Sequence, residues 1–392
     1  MSGVKDKKMR IAFIQPEYAN YRLPFYETFQ VEYNVDFLFL NQSSSEPNQE
    51  YIKHFLSVYE LDQRKVFSGQ WFPPRKNIIL LLSTLLNNKY PIIVTANYSP
   101  PTLIALLTSK ITSSKYLVWV EDWFSPHPKS FKSKVRFFLF DLIAKCCLAN
   151  ASAVVVEGSA QRRSVSRFGV PSEKVFQANH SSLDYSKFKS LNLRQKLKVG
   201  NAFVILYVGR IIEQKGLDVL IEAFSKLEQE NKDAYLFVIG DGNFRGFCES
   251  IVKKMQLKHV VFIGTITEEN EKASFYETAD VLVLPSRIVV GEELAEGWGL
   301  VINEAMSMGK PVITTDAVGA AEDLVRNGVN GYVVKNGDVE DLYFALRKIV
   351  KSSELKKTME VNSRMIFQEF NGFDKMFNGF KRAIEYCRQT SQ

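Results

Sequence analysis

Cysteine and histidine are scarce: four of each stand among 392 residues. Cysteines 146, 147, 248 and 387 show no C-x-x-C spacing, which argues against a zinc site or a disulfide framework and suits a reducing compartment. No apolar run approaches the ~18 residues that cross a bilayer. The polar stretch Met1 to Met9 leads straight into Ile11-Ala12-Phe13-Ile14, leaving no room for a signal peptide, so a cytoplasmic protein is expected. No Asp-x-Asp metal motif occurs, and no G-x-G-x-x-G follows Ile14 or Val208, which disfavours a nicotinamide dehydrogenase. Helix-turn-helix, zinc and RNP-like signatures are missing too, so nucleic acid is not an expected partner.

Acidic residues are thin in the first half. Residues 1–196 carry 26 Lys/Arg against 15 Asp/Glu, net +11, whereas 197–392 carry 24 against 28, net −4. A basic N-terminal half points to an anionic acceptor or an anionic membrane surface as partner. Between Lys129 and Lys145 a helical pattern places Phe131, Val135, Phe138, Leu139 and Leu142 on one stripe, read as core-facing, with Phe137 and Phe140 outside it. Lys129, Lys132, Lys134 and Arg136 lie nearby, so this helix either inserts those two aromatics among lipid head groups or is buried on several sides. Ile78 to Leu86 offers a second such stretch.

A chain this long exceeds one comfortable core, and its pattern alternates strand and helix throughout. Arg10 to Gln15, Val35 to Leu40, Ile92 to Thr95, Tyr116 to Val120 and Ala153 to Glu157 read as strands with helical patterns between several of them. Two α/β domains with doubly wound parallel sheets follow. The boundary falls in the polar stretch Leu191 to Gly200, giving domains 1–195 and 196–372 and a last helix over 373–392.

Two segments carry the chemistry. Val204 to Val208 is strand-like and runs into Gly209-Arg210, then Lys215-Gly216, then the helical pattern Leu217, Leu220, Ile221, Phe224. Arg210 can grip phosphate oxygens in a bidentate manner and Lys215 adds a point charge, so the pair can neutralise a diphosphate without a metal. In Glu296-Gly297-Trp298-Gly299-Leu300-Val301-Ile302-Asn303-Glu304, two carboxylates eight residues apart straddle a loop-to-helix junction whose glycines let backbone approach a ligand.

Together these segments resemble the retaining GT-B glycosyltransferases of glycosyltransferase family 4. Val238-Ile239-Gly240-Asp241-Gly242, Ala279 to Ser286, Gly309 to Ile313 and Asn327 to Gly331 extend the likeness in order and spacing. The resemblance implies two Rossmann-like domains facing a central cleft, the N-terminal one for the acceptor and the C-terminal one for a nucleotide-diphosphate sugar. The final helix crosses back to the first domain. Gly209, Arg210, Lys215, Gly240, Gly297, Trp298, Gly299 and Leu300 would line the donor site, with Glu304 on the ribose hydroxyls and Glu296 on the donor sugar. Sugar transfer with retention is implied, with no cofactor and no metal. The acceptor would be a glycan or a lipid-linked or cell-surface precursor, met on the cytoplasmic face of a membrane.

The chain departs from the family at three places. The loop after the first strand reads Gln15-Pro16-Glu17-Tyr18-Ala19-Asn20-Tyr21-Arg22 instead of a glycine pair, leaving Glu17 and Arg22 as candidate acceptor contacts. Glu121-Asp122-Trp123 stands where many members have a histidine; Asp122 or Glu121 either accepts a proton from the acceptor hydroxyl or caps the next segment. Asn179 to Asp184 lacks the usual glycine, and His180 is the candidate there for lining the cleft. A nucleotide-sugar hydrolase or epimerase on the same fold, or a non-catalytic nucleotide-sugar binder, are the alternative classes.

Overall fold

The computed structural model describes residues 8–17, 20–41, 70–71, 77–123, 131–191, 193–289 and 295–390. Two compact units emerge, one of residues 1–121, 134–180 and 372–392, the other of 122–133 and 181–371.

In the first unit, strands β1 (Arg10–Glu17), β2 (Asn34–Asn41), β3 (Gln70–Trp71), β4 (Ile92–Ala96), β5 (Lys115–Val120), β6 (Ala153–Val156) and β7 (Val175–Gln177) lie in the order β3-β2-β1-β4-β5-β6-β7. Every neighbour pair is parallel. Parallel strands buried on both faces need unbroken apolar runs, and Ala153 to Val156 are wholly buried accordingly. Phe13 on β1 stands opposite Phe37 and Val94 and packs edge-on to Phe29 at 5.3 Å. The C-terminal helix Phe373–Gln389 belongs to this unit. Its Phe380 completes the aromatic cluster, 5.2 Å from both Phe25 and Trp119. Gly379 permits that approach: a Cβ there would lie 2.4 Å from the Gln177 carbonyl oxygen.

The helix Phe131–Ala149 corrects one sequence expectation. Ala144, Cys147 and Leu148 face the core, and Phe140 is half-buried edge-on to Tyr98 at 5.9 Å. Val135, Phe138, Leu139 and Leu142, the expected core stripe, are exposed, Phe138 by 66%. A helix apolar nearly all round carries two usable stripes, and the periodicity does not choose between them. Lys129 lies outside the described residues, as do the side chains of Phe131, Lys132, Arg136 and Phe137.

In the second unit, β8 (Phe203–Val208), β9 (Ala234–Ile239), β10 (Val260–Gly264), β11 (Val281–Leu284), β12 (Val312–Thr315) and β13 (Gly331–Val334) form a parallel sheet in the order β10-β9-β8-β11-β12-β13. The helix Leu217–Glu230 covers it through Leu217, Leu220, Ile221 and Phe224, the pattern read from the sequence. Residues 191–200, expected as the boundary, hold the short helix Leu193–Lys196 inside this unit. Arg194 fastens it to the carbonyls of Gly200, Ala202 and Thr278 and to Asp280 at 2.8 Å. The longer segment of the unit begins at Ser181 and ends at Asn371. Both sheets are doubly wound, as expected for a GT-B fold.

Candidate functional site

In a doubly wound sheet the strand order reverses once, and ligands bind beyond the carboxyl ends of the strands at that reversal. In the second unit the reversal lies between β8 and β11. Two glycines lace the loops there. Gly216 has φ +64°, and a Cβ on it would sit 2.1 Å from the Pro285 carbonyl oxygen. Gly240, expected as a donor contact, has φ +131° and lies against the backbone of Gly209; a Cβ there would be 1.9 Å from the Gly209 oxygen. Gly209 N–H donates to Ile239 and Ile211 N–H to Asp241, at 3.0 and 2.8 Å, and Arg287 N–H to Gln214 at 2.8 Å.

This lacing brings the sequence-predicted residues together. Lys215, at the end of the turn Glu213–Lys215, is buried and its ammonium pairs directly with Glu296. Ser286, just beyond β11, lies 3.4 Å from the same carboxylate oxygen. Glu296 is pinned by its backbone: its N–H donates to Ala317 at 3.1 Å, and its carbonyl accepts from Gly319 N–H at 3.0 Å and from the Trp123 indole at 2.9 Å. Arg210 is exposed, and among the described residues no carboxylate pairs with it. The site therefore offers one buried cation matched by a carboxylate and one accessible cation.

Glu304 follows in the helix Val301–Ser307. Its carboxylate accepts from the Tyr276 hydroxyl at 2.5 Å and lies 3.5 Å from Lys272, which also reaches Glu269 at 3.2 Å. Burial alone pushes the Lys272 ammonium down, but Glu304 and Glu269 outweigh it and hold its pKa above the ordinary value. Burial and the adjacent Glu304 push the Tyr276 hydroxyl well up, so it stays a donor. The helix start contributes less than expected: it is seven residues long, and the amides of Ile302 and Glu304 already donate to Gly299 and Leu300. Trp298 turns inward, 3% exposed, with its indole donating to Asn303 at 2.9 Å, so it shapes the loop from behind. Gly299, at φ +93°, fits where a Cβ would lie 2.8 Å from Leu284.

In the first unit the order reverses between β1 and β4. Gln15, near the carboxyl end of β1, accepts from Arg22 at 2.7 Å. Arg22 pairs with Glu121 just after β5 and stacks over Trp119 at 4.8 Å. The Glu121 amide donates to Asn97 at 2.8 Å, and its carbonyl accepts from Gln161 at 3.1 Å. His180 Nδ1 lies 2.7 Å from Glu157, both almost fully buried. Burial, opposed by Arg22, pushes the Glu157 carboxyl up to about 8, and burial with Arg22 pushes the His180 imidazole down to about 3. The pair thus holds one proton near neutral pH. Burial also raises Glu121, with Arg22 opposing. Of the predicted acceptor residues, Arg22, Glu121 and His180 gather here, whereas the Glu17 side chain lies outside the described residues. Asp122 is half-buried and belongs with Trp123 to the second unit. Beside the cluster, a cavity of about 190 Å³ opens among Ile14, Pro16, Leu40, Thr95, Ser99 and Thr102.

Glu157, Tyr276, Lys272 and Trp123 were not singled out from the sequence. Glu157 reads there as the polar end of a strand, Trp123 only as the neighbour of Glu121 and Asp122, and the others stand in no local motif. Among the described residues no cluster of His, Cys, Asp or Glu could hold a metal.

The family model described as glycosyl transferases group 1 matches residues 189–365. An uncharacterized glycosyltransferase of Methanocaldococcus jannaschii is 32% identical over 180 residues, 46% of this chain and 47% of its own, so the chain spans about half that relative. The capsular polysaccharide biosynthesis glycosyltransferase of Staphylococcus aureus is 26% identical over 328 residues, 78% of this chain and 82% of its own. Among solved structures, Anabaena HepE in complex with UDP has a TM-score of 0.74 at 19% identity, covering 96% of this chain and 100% of its own. Sucrose-phosphate synthase from Thermosynechococcus elongatus reaches 0.71 at 18% identity over 98% and 100%. At these identities the structures share the fold, GT-B, with this chain.

Proposed function

We propose that the chain is a retaining glycosyltransferase of family 4 that moves a hexosyl group from a nucleotide-diphosphate sugar to a lipid-linked or cell-surface glycan precursor. The observation that carries this reading is the meeting of Lys215, Glu296 and Ser286 at the strand reversal of the second unit, with accessible Arg210 on the same loop as Lys215. When the bond from the anomeric carbon to the diphosphate breaks, negative charge develops on the leaving oxygen. Arg210 and Lys215 stabilise it without a metal, Lys215 exchanging its contact with Glu296 for the phosphate. Glu296, freed, faces the donor sugar, and Glu304 accepts from the ribose hydroxyls. The acceptor oxygen bonds the anomeric carbon on the face the diphosphate leaves, and its proton passes to Asp122, next in the chain to the Trp123 that touches the Glu296 carbonyl. UDP in the Anabaena structure supports a nucleotide donor.

The N-terminal unit receives the acceptor at an anionic membrane surface, on its cytoplasmic face. No helix among the described residues is long and apolar enough to cross a membrane. The exposed Phe138, Leu139 and Leu142, flanked by exposed Lys134 and Lys145, form a face that suits lipid head groups; Phe140, turned to Tyr98, does not take part. Product NMR tests retention, since an inverted anomeric centre contradicts it. Co-sedimentation with anionic vesicles at low salt tests the surface: replacing Phe138 and Leu142 by Ser should weaken binding about tenfold or more, and equal binding contradicts it.

A further inference from the structure

The loop that holds Glu296 is connected by side-chain hydrogen bonds to two of the places where the chain passes between its units, at Ser181 and after Asn371. The Trp298 indole donates to Asn303 Oδ1 at 2.9 Å. Asn303 Nδ2 donates to Asn371 Oδ1 at 3.2 Å. Asn371 then holds Ser182 from both sides: Ser182 N–H donates to its Oδ1 at 2.8 Å, and its Nδ2 donates to the Ser182 carbonyl at 3.1 Å. Ser182 stands one residue after the chain enters the second unit, and Asn371 is the last residue before it leaves. Trp298, Asn303 and Ser182 are all buried, so water is a poor substitute for any of these partners.

We propose that Asn303 and Asn371 are positioning residues that couple the order of the Glu296 loop to the order of the two passages. A planar amide that satisfies three partners at once has one good orientation. Moving the Trp298 end displaces Asn303, which leaves Asn371 short of one donor at the oxygen it shares with Ser182. The coupling is mutual, because the effect of one end on the other equals the reverse effect. Neighbouring contacts hold the same stretch in register: Asp184 is gripped by Arg364 at 2.9 and 3.0 Å, and the Tyr185 amide donates to Ser307 at 2.9 Å. The competing account is that Asn371 simply ends the helix Ser353–Phe370, to which its backbone N–H is bonded through Phe367 at 2.8 Å. That account keeps the consequences of a change local.

The functional weight of this coupling rests on the reading of the Glu296 loop as the donor site. Amide hydrogen exchange on the full chain without nucleotide tests it, so failure of the coupling and failure of the donor reading are separate results. Trp298→Phe keeps an aromatic side chain but loses the indole N–H together with the pyrrole ring; it should speed exchange at the Ser182 amide about fivefold. Asn371→Ala should speed exchange at Glu296 and Ala320, whose amides lie at the loop, by a similar factor. The double variant should show less than the product of the two effects. Should Asn371→Ala fail to fold, Trp298→Phe decides alone. Acceleration confined to each variant's own end, or effects that multiply independently, overturns the proposal.

Discussion

The two units share one sheet order and place polar residues at the same point of it, yet they treat charge in opposite ways. In the second unit Arg210 is left accessible while Lys215 is held by the Glu296 carboxylate. In the N-terminal unit Arg22 is sealed against Glu121 and Trp119, and Glu157 shares a proton with His180. One fold thus supports a cluster with one accessible cation and a cluster whose cation is buried against a carboxylate.

Breaking the internal pairing of the N-terminal unit should have the largest effect. Arg22→Ala leaves the Glu121 carboxylate buried without its cation and should cost about 3 to 5 kcal/mol of stability. Arg22→Met with Glu121→Leu should recover most of it, as read by denaturant unfolding. Equal loss in both variants would show that the pair does not neutralise the site.

The donor side should respond in rate rather than stability. Arg210→Ala and Lys215→Ala should each lower transfer about a hundredfold, the equivalent of ~3 kcal/mol of lost charge stabilisation. Thermal unfolding of Arg210→Ala should match the wild type, because its guanidinium is exposed. Near-normal turnover in either variant would remove the diphosphate grip.

A smaller effect separates the units by pH. Glu157 is raised from an ordinary 4.5 to about 8, so the folded chain binds its proton more tightly and stability falls as pH rises across that window. His180, lowered from 6.5 to about 3, gives the opposite slope between those values and cancels Glu157 from about 4.5 to 6.5. Between 6.5 and 8 Glu157 is no longer opposed by His180. The wild type should lose stability there relative to Glu157→Gln, by at most about 1.4 kcal/mol per pH unit. Parallel pH curves would place the proton elsewhere.

The same contrast explains what could be read in advance. Arg210, Lys215, Glu296 and Glu304 sit in two contiguous strand-loop-helix segments, so local spacing carries their geometry. Arg22, Glu121, Glu157 and His180 come from four strand exits up to 158 residues apart, and only the folded sheet brings them together. Sheet alternation was legible because parallel strands require apolar runs. The outward face of Phe131–Ala149 was not, since its apolar residues ring the helix. The passage after Asn371 was read within one residue, whereas the one at Ser181 was missed because side-chain bonds, not a change in composition, mark it.

The central claim is that the Glu296–Glu304 segment holds a nucleotide-diphosphate sugar. Thermal shift of the full chain with UDP, GDP, ADP and dTDP sugars, in the wild type and in Glu304→Gln, tests it most directly. One nucleotide series should stabilise the wild type by ~2.7 kcal/mol at a hundred times its dissociation constant, and Glu304→Gln should lose most of that gain. No shift with any of the four series, or an undiminished shift in Glu304→Gln, would contradict the account.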